Sequence, residues 1–373
     1  MLKVLSVIGT RPEAIKMAPV VKALRNQGDQ FRSLLCVTAQ HREMLDQVLK
    51  LFDLKPDYDL NVMQPDQALS QLTADLFSKL DPVVKETRPD WMLAQGDTTT
   101  VLVTSLVAFY NGIPFGHVEA GLRTGDLAKP FPEEMNRRLA DSISELLFAP
   151  TNRSRQALLD ERVSDEKILV TGNTVIDALL KTVQLPYDWS SGVLSSIPKN
   201  GQIVMITAHR RESFGAPLRE ICFAIKKLAL QFKAEGVQFV YPVHMNPSVR
   251  QPVNEILSDL INVSLIEPLD YLSLVNLMKR STLILTDSGG IQEEAPSLGV
   301  PVLVMRHTTE RPDGIEAGVS KLVGTYAERI VEETSVLLTD PQAHDAMAKA
   351  QNPYGDGHAS ERIVSALIRK GAK

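Results

Sequence analysis

Short apolar runs alternate with longer amphipathic segments along most of the chain. Runs rich in valine, isoleucine and leucine that end at polar turns predict buried strands, and apolar positions three and four residues apart predict helices. The runs that predict strands are Val4–Ile8, Leu34–Thr38, Trp91–Ala94, Phe115–Val118, Leu146–Ala149, Ile168–Thr171, Ile203–Thr207, Phe239–Pro242, Val263–Ile266, Leu283–Thr286 and Val302–Met305. The segments that predict helices are Met44–Phe52, Leu69–Glu86, Thr99–Tyr110, Glu133–Glu145, Ser154–Glu161, Leu218–Ala234, Val249–Asp259, Tyr271–Arg280 and Glu328–Leu338.

The predicted strands are continuously apolar rather than alternating, which is typical of strands buried on both faces. Because they alternate with helices, the pattern predicts an α/β protein with parallel sheets covered by helices. Two such sets follow each other, and the least periodic stretch near the middle of the chain is Pro186–Gly201. The predicted fold class is therefore two Rossmann-like, doubly wound parallel-sheet domains facing a cleft, the default place for a ligand.

Composition and charge narrow the class of protein. The chain has 373 residues, of which 44% are hydrophobic and 23% charged, as in globular proteins with more than one core. The formal net charge is −5 and basic residues are scattered, so neither nucleic acid nor an anionic membrane surface is expected as a partner. No apolar run is long enough to span a bilayer, so membrane insertion is not expected either. The two cysteines, Cys36 and Cys222, are too few for a metal cluster and are expected to be reduced core residues of a cytoplasmic protein.

The clearest ligand signal is a glycine turn between two predicted strands. Residues Ser288–Gly290 follow the strand Leu283–Thr286, so their N–H groups can bind an anion where a helix begins. Glu294 can accept hydrogen bonds from ribose hydroxyls, and Arg311 follows the next strand. A plain tight turn explains the glycines but not the glutamate, and the pattern fits neither the dinucleotide-binding fingerprint nor a Walker A loop. We therefore expect a nucleoside diphosphate or a nucleotide-sugar.

Charged residues also follow predicted strands of the first half, at the edge where open α/β sheets bind ligands. Arg11 and Lys16 lie near a helix start, where cations oppose the helix dipole unless an anion lies between them. Phosphate contact is predicted, with a solvated surface pair as the alternative. Asp97 follows the strand Trp91–Ala94, and a simple helix N-cap is the alternative for it.

Two further carboxylates join this set. Glu119 lies in the glycine-punctuated loop Gly116–Asp126, and Glu133 begins a helix that carries Arg137 one turn later. Acids in a first turn often only complement the helix dipole. Three carboxylates at one sheet edge, however, are costly without a catalytic role or cations to offset them.

His209 occupies a comparable position in the second half, directly after the strand Ile203–Thr207 and Ala208. At such a place an imidazole can bind a phosphate or protonate a leaving-group oxygen. A purely structural histidine is the alternative.

Several motifs occur in the same order in one known family. They are Gly9–Pro19, Val37–Leu45, Gly96–Thr100, Gly116–Asp126, Gly172–Asp177, His209–Gly215, Thr286–Gly299 and Asn352–Gly357. On these motifs the chain closely resembles, essentially from end to end, the non-hydrolysing bacterial UDP-N-acetylglucosamine 2-epimerases. The resemblance implies the glycosyltransferase type B architecture, with a last helix, Ala359–Lys370, that returns to the first domain. The implied domains are 1–171 plus 357–373 (N-terminal, with the carboxylates) and 172–356 (C-terminal, binding UDP).

The resemblance also implies an activity. It implies interconversion of UDP-N-acetylglucosamine and UDP-N-acetylmannosamine by elimination of UDP to a 2-acetamidoglucal and re-addition, with no cofactor and no metal. It further implies a cytoplasmic homodimer, with the UDP-sugar and UDP as ligands, that feeds cell-surface polysaccharide synthesis.

Carried over residue by residue, the resemblance assigns three sets of residues. The implied catalytic residues are Asp97, as base or orienting acid, with Glu119, Glu133 and His209. The implied substrate-binding residues are Arg11, Lys16, Arg137, Ser288, Gly289, Gly290, Glu294 and Arg311. A second site, at which substrate activates the bacterial members, is implied for Gln40, His41, Glu134, Arg210 and His244.

Three alternatives remain open at this point. A retaining glycosyltransferase of the same fold would use a UDP-sugar donor and need an acceptor. A hydrolysing epimerase would release free N-acetylmannosamine, and a sensor would bind the nucleotide-sugar without catalysis.

Overall fold

A computed structural model of the protein describes residues 1–38, 42–64, 67–198 and 200–371, with only the backbone described at 42 and 43. Its strands, numbered from β1 in chain order, are Leu2–Ile8, Phe31–Val37, Tyr58–Asp59, Trp91–Gln95, Phe115–Val118, Leu146–Ala149, Ile168–Val170, Ile203–Thr207, Gln238–Pro242, Val263–Ile266, Leu283–Thr286, Val302–Val304 and Ser320–Leu322. Its helices, numbered from α1, are Arg11–Asn26, Arg42–Leu51, Leu69–Thr87, Thr99–Tyr110, Glu133–Ile143, Asn152–Asp160, Thr174–Thr182, Ala216–Gln231, Pro247–Leu257, Tyr271–Arg280, Gly289–Glu294, Pro312–Glu316, Ala327–Thr339, Pro341–Ala348 and Ala359–Gly371.

The chain forms two compact units. The first unit contains Met1–Ala178 and Tyr354–Lys373, and the second contains Leu179–Pro353. Each is built on one sheet whose strands pair in parallel, so the predicted class of two doubly wound α/β domains is confirmed. None of the helices described is both long and apolar enough to cross a membrane.

The sheet of the first unit has the strand order β3-β2-β1-β4-β5-β6-β7. Strand β1 pairs with β2 on one side and β4 on the other, so the direction of winding reverses between β1 and β4. Helices cover both faces, which explains why the central strands are mostly apolar rather than alternating. The loops after β1, β4 and β5 meet at the carboxyl edge beside this reversal, where open α/β sheets bind ligands.

The sheet of the second unit has the order β10-β9-β8-β11-β12-β13. Here the winding reverses between β8 and β11, whose last residues Thr207 and Thr286 are register partners. The hydroxyls of these two threonines lie 2.6 Å apart and are buried. The loops that begin at Ala208 and Asp287 therefore leave the sheet side by side.

The apolar pattern located most elements to within a few residues. Strands β5, β6, β8, β10 and β11 and helices α4 and α10 begin and end where the sequence predicts. The edge strands Tyr58–Asp59 and Ser320–Leu322 were missed, because two or three residues that include charged side chains carry no apolar run.

The last helix is held to the first unit by Asp177 of α7, which is 1% exposed. Its Oδ1 accepts hydrogen bonds from the backbone N–H and hydroxyl of Ser360 at 2.8 and 2.6 Å, and its Oδ2 accepts one from Ala359 N at 3.2 Å. Nearby, Gly172 and Gly355 pass so closely that a Cβ on Gly172 would lie 3.1 Å from the Cα of Gly355. A carboxylate distant in sequence thus caps the N-terminus of α15.

Replacing Asp177 by alanine is expected to lower the free energy of unfolding by about 3 kcal/mol, because three buried donors lose their charged acceptor. Urea denaturation followed by circular dichroism measures the change. Asp29→Ala is the matched control, since Asp29 is exposed. Equal stability of the two variants would show that Asp177 does not hold α15.

Candidate functional site

The loop after β1 is fixed by a capping box at the start of α1. Thr10 is the N-cap and accepts a hydrogen bond from Glu13 N, while Glu13 Oε2 accepts from the N–H groups of Gly9 and Thr10, both at 2.6 Å. The hydroxyl of Thr98, in the loop after β4, donates to the other oxygen of Glu13. A Cβ at Gly9 would overlap the hydroxyl of Thr100. Glu13 therefore joins the loop that carries Arg11 to the loop that carries Asp97.

Glu13 is an acidic residue that is nearly fully buried, with only 3% of its surface exposed. Burial raises its pKa from 4.5 to about 7, although the hydrogen bonds from Thr98, Thr10 and Gly9 act in the opposite direction. Between these two pH values the folded state keeps a proton that the unfolded chain has lost. Rising pH in this window therefore reduces stability.

We expect Glu13→Gln to abolish this pH dependence. Relative to the variant, the unmodified protein should lose about 2–3 kcal/mol of unfolding free energy as the pH rises from 4.5 to 7, because each unit of pKa difference corresponds to about 1.4 kcal/mol. Denaturant titrations at several pH values measure both proteins. Parallel curves would contradict a buried, protonated Glu13.

Glu119 follows β5, and its carboxylate has two side-chain partners. One comes from α1 and the other from the end of β4. Glu119 Oε2 lies 2.5 Å from Lys16 Nζ of α1 and accepts a hydrogen bond of 2.7 Å from Gln95 Nε2 at the end of β4. Glu119 is buried and has φ 67°, a left-handed conformation that is uncommon outside glycine and is concentrated at functional sites. The structure thus brings Lys16 and Glu119 together across 103 positions of sequence.

Asp97 follows β4 and is held on both its side chain and its backbone by α5. The guanidinium of Arg137 pairs with Asp97 Oδ2, and Asn136 Nδ2 donates to the carbonyl of Asp97 at 2.9 Å. Arg137 NH1 also lies 3.3 Å from the carboxylate of Glu134. Gln95 and Asn136 were missed by the sequence analysis, and a polar residue ending a buried strand was the available signal for Gln95.

Glu133 is the first residue of α5, four positions before Arg137, so both lie on one face of the helix. It is partly exposed, and no side chain among the described residues forms a hydrogen bond or ion pair with its carboxylate. Its carboxylate is therefore accessible beside the Asp97–Arg137 pair.

In the second unit, Asp287 organises the loop after β8. This carboxylate is fully buried, and its Oδ2 accepts hydrogen bonds of 2.7 Å from the N–H groups of both His209 and Arg210. The ring of His209 stacks on that of His244, with centroids 5.4 Å apart. Burial lowers the pKa of His209, and the nearby His244 and Arg210 lower it further against the opposing effect of Asp287. Its imidazole is therefore more easily deprotonated than an ordinary histidine.

The glycine turn after β11 lies among cations. Ser288 N donates to the hydroxyl of Thr286 at 2.9 Å, so this N–H is already used within the turn. A Cβ built on Gly289 would lie 3.5 Å from Arg210 NH2 and 3.6 Å from Cζ of Arg311. The guanidinium groups of Arg210 and Arg311 thus converge on the start of α11, where helix N–H groups favour an anion.

The two glutamates of α11 have different partners. Glu293 is 2% exposed and pairs with the guanidinium of Arg311. Glu294 Oε2 accepts a hydrogen bond of 2.7 Å from the hydroxyl of Tyr271, and its Oε1 lies 3.6 Å from a Cβ built on Gly290. Glu293 therefore orients a cation, and Glu294 lies beside the glycine turn.

The residues implied for a second substrate site come from both units, and each is described within its own unit. Gln40 and His41 lie outside the described residues. Glu134 is fully buried and accepts hydrogen bonds from the N–H groups of Thr124 and Gly125 at 3.1 and 3.3 Å. It therefore stabilises the conformation of the loop Gly116–Asp126. Arg210 lies beside the glycine turn, and His244 stacks on His209.

Within the described ranges, no three His, Cys, Asp or Glu side chains lie together in an arrangement that could hold a metal ion. The buried carboxylates described above have cations, hydroxyls and N–H groups as their partners.

The chain is similar to known proteins along almost its whole length. Residues 22–368 match the family model described as UDP-N-acetylglucosamine 2-epimerase. The chain is 55% identical over 372 residues to the UDP-N-acetylglucosamine 2-epimerase of Escherichia coli K12, covering 98% of each. A crystal structure of a putative UDP-N-acetylglucosamine 2-epimerase from Listeria monocytogenes has a TM-score of 0.92 at 45% identity, with 98% of this chain and 95% of that one covered. The Neisseria meningitidis enzyme bound to UDP-GlcNAc has a TM-score of 0.88 at 48% identity, with 99% and 100% covered. With full-length matches in both sequence and fold, the chain belongs to the UDP-N-acetylglucosamine 2-epimerase family.

Proposed function

We propose that the protein interconverts UDP-N-acetylglucosamine and UDP-N-acetylmannosamine without hydrolysis, by eliminating UDP to a 2-acetamidoglucal and adding it back. The observation that carries this proposal is the pairing of carboxylates with cations at one sheet edge, Asp97 with Arg137 and Glu119 with Lys16. Each of these pairs combines a carboxylate that can transfer a proton with a cation that can bind an anion.

The chemistry explains why both kinds of group are needed. The proton on carbon 2 is not acidic, because no carbonyl lies next to it. When the bond from carbon 1 to the UDP oxygen breaks, positive charge develops at carbon 1 and the neighbouring proton becomes acidic. A base takes this proton, the C–H electron pair forms the glycal double bond, and UDP leaves with the electrons of the C–O bond.

Asp97 is proposed as the base, with its direction set by Arg137 and Asn136. Glu119 and Glu133 are proposed to return a proton to the opposite face of carbon 2, after which UDP rejoins carbon 1. Glu133 is suited to this role because its carboxylate is not committed to another described side chain. General acid and base groups of this kind typically contribute about 10²–10⁴-fold to the rate.

The departing UDP needs positive charge and hydrogen-bond donors. Arg11, Lys16 and Arg137 are proposed to supply them from the first unit, and Nε of Arg137 is buried with no acceptor among the described residues. His209, Arg311 and the N–H groups of Gly289 and Gly290 are proposed to bind the diphosphate from the second unit. One donor placed on developing charge is typically worth about 3 kcal/mol.

The proposed ligands have direct support from relatives. The N. meningitidis relative is bound to UDP-GlcNAc, and that of Methanocaldococcus jannaschii, at 32% identity, is bound to UDP-GlcNAc and UDP. We further propose that the protein works in the cytoplasm as a homodimer, supplies precursors of cell-surface polysaccharide, and is activated by its substrate.

Positional isotope exchange tests the elimination route. UDP-N-acetylglucosamine with oxygen-18 in the bridge between carbon 1 and the β-phosphorus is incubated with the protein and followed by phosphorus NMR. Cleavage of the C–O bond frees the β-phosphate to rotate, so the label should move to non-bridging positions at least as fast as the epimer forms. Epimer formation with the label still in the bridge would contradict elimination.

A further inference from the structure

His117, on β5, makes buried contacts next to the loops that carry Asp97 and Glu119. The residue is 0% exposed, and both ring nitrogens have partners. Nδ1 lies 2.6 Å from Oδ1 of Asp141 on α5, and Nε2 lies 2.7 Å from the carbonyl oxygen of Gly96. None of the roles proposed above uses this histidine.

The partners define the protonation state of the ring. A backbone carbonyl only accepts hydrogen bonds, so Nε2 must carry a hydrogen. Oδ2 of Asp141 receives a 3.2 Å hydrogen bond from Gly121 N and pairs with Arg123 NH2 at 2.8 Å, and these two donors favour the ionised carboxylate, whose Oδ1 then acts as an acceptor toward the ring. Nδ1 then carries a hydrogen as well, and the ring is an imidazolium.

The charges around the ring agree with this assignment. Burial and Arg123 disfavour the charged form, but the Asp141 carboxylate and the hydrogen bond to Gly96 outweigh them and raise the pKa of His117. Burial raises the pKa of Asp141, but the charges of His117 and Arg123 and their hydrogen bonds together outweigh it, so that the pKa is lowered. Both partners therefore favour the ionised pair.

The His117–Asp141 pair contacts the backbone of two loops, the one after β4 that carries Asp97 and the one after β5 that carries Glu119. Gly96 has φ 88°, and its carbonyl group forms the peptide bond to Asp97. The hydrogen bond from His117 to this carbonyl therefore fixes the orientation of the backbone at Asp97. Asp141 binds the N–H of Gly121, two residues after Glu119. One buried ion pair therefore supports the loops of two carboxylates that come from different strands.

We propose that His117, held as an imidazolium by Asp141, is a positioning residue for the epimerisation, acting on Asp97 through the carbonyl of Gly96. This role rests on the proposed function, since Asp97 is the proposed base. Displacement of a reacting group by about 1 Å can cost about 100-fold in rate. Loss of the His117 contact should therefore lower kcat while the diphosphate contacts of the second unit stay intact.

The protonation state can be tested without any activity measurement. Nitrogen-15 NMR of histidine-labelled protein at about pH 7.5, one unit above the ordinary histidine pKa, distinguishes imidazolium from either neutral tautomer. The chain has seven histidines, and the spectrum of His117→Phe identifies the signal of interest. Two protonated ring nitrogens are expected. A neutral ring at this pH would overturn the proposed ion pair.

The positioning role is tested by kinetics of His117→Phe, which keeps an aromatic ring beside Phe115 but removes both donors. The expected result is a kcat about 10–100-fold lower, with KM and the Kd for UDP changed less than about two-fold. His344→Phe is the matched control, because His344 also bonds a backbone carbonyl, that of Thr282, at 2.9 Å. It should keep normal kcat.

The outcomes separate this inference from the proposed function. An unchanged kcat in His117→Phe, with active unmodified protein, would overturn the positioning role alone. Parallel losses of kcat, UDP affinity and folded fraction would also overturn it, since they indicate only a structural role. Inactive unmodified protein would contradict the proposed function and the positioning role with it, while the NMR result would still report on the ion pair.

Discussion

Replacing Asp97 by asparagine is expected to lower kcat for epimerisation about 1,000-fold, while the protein still folds and binds UDP. The amide has nearly the shape of the carboxylate but cannot accept the proton from carbon 2. Asn136 still holds the backbone carbonyl of residue 97, and Glu134 still pairs with Arg137, so the surroundings are preserved. NMR analysis of the products measures kcat, and a titration with UDP measures the binding affinity.

The control for this variant is Asp29→Asn, an exposed aspartate in the turn after α1 that should keep full activity. Release of the 2-acetamidoglucal provides a second measurement, because the base acts in the step that forms it. If Asp97→Asn still produced glycal and UDP at the normal rate, the base would have to be another group, and Glu119 or Glu133 would be the next to test.

The second large effect concerns Arg210, whose guanidinium lies beside Gly289 and Arg311. Arg210→Gln is expected to weaken UDP binding about 10–100-fold, because a charge-assisted hydrogen bond to a phosphate contributes about 1.5–3 kcal/mol. Isothermal titration calorimetry with UDP measures the change. Arg211→Gln is the matched control, since Arg211 is the next residue and is exposed.

This measurement also separates two roles for Arg210. The family resemblance implies a part in activation at a second substrate site, whereas its position beside the glycine turn favours the diphosphate of UDP. Unchanged UDP affinity in Arg210→Gln, together with a lost activation by substrate, would contradict the diphosphate role and favour the second site.

The sequence predicted the fold class, and it placed charged residues and a glycine turn at the ends of strands, because both depend on local patterns. Continuous apolar strands and amphipathic helices are local features, and so is the glycine turn at Ser288–Gly290. Charged residues directly after strands, such as Asp97 and Glu119, could therefore be placed at a sheet edge from the order of residues alone.

The pairings within the site could not be predicted in the same way. The Lys16–Glu119 and Arg137–Asp97 contacts depend on which strands are neighbours, and the reversal of winding between β1 and β4 is not encoded in periodicity. For the same reason His117 could be read only as part of a glycine-rich motif. Its partners, Gly96 and Asp141, come from another strand end and from a helix.

Proton NMR of the purified protein with UDP-N-acetylglucosamine in deuterated water tests the proposed function most directly. We expect new anomeric signals of UDP-N-acetylmannosamine, with deuterium at carbon 2 of the product, because the proton removed there exchanges with solvent. Free N-acetylmannosamine with UDP would instead establish hydrolysis. No conversion at all, even with UDP-N-acetylglucosamine present in excess as its own activator, would contradict the proposed epimerase and the roles of Asp97, Glu119 and Glu133.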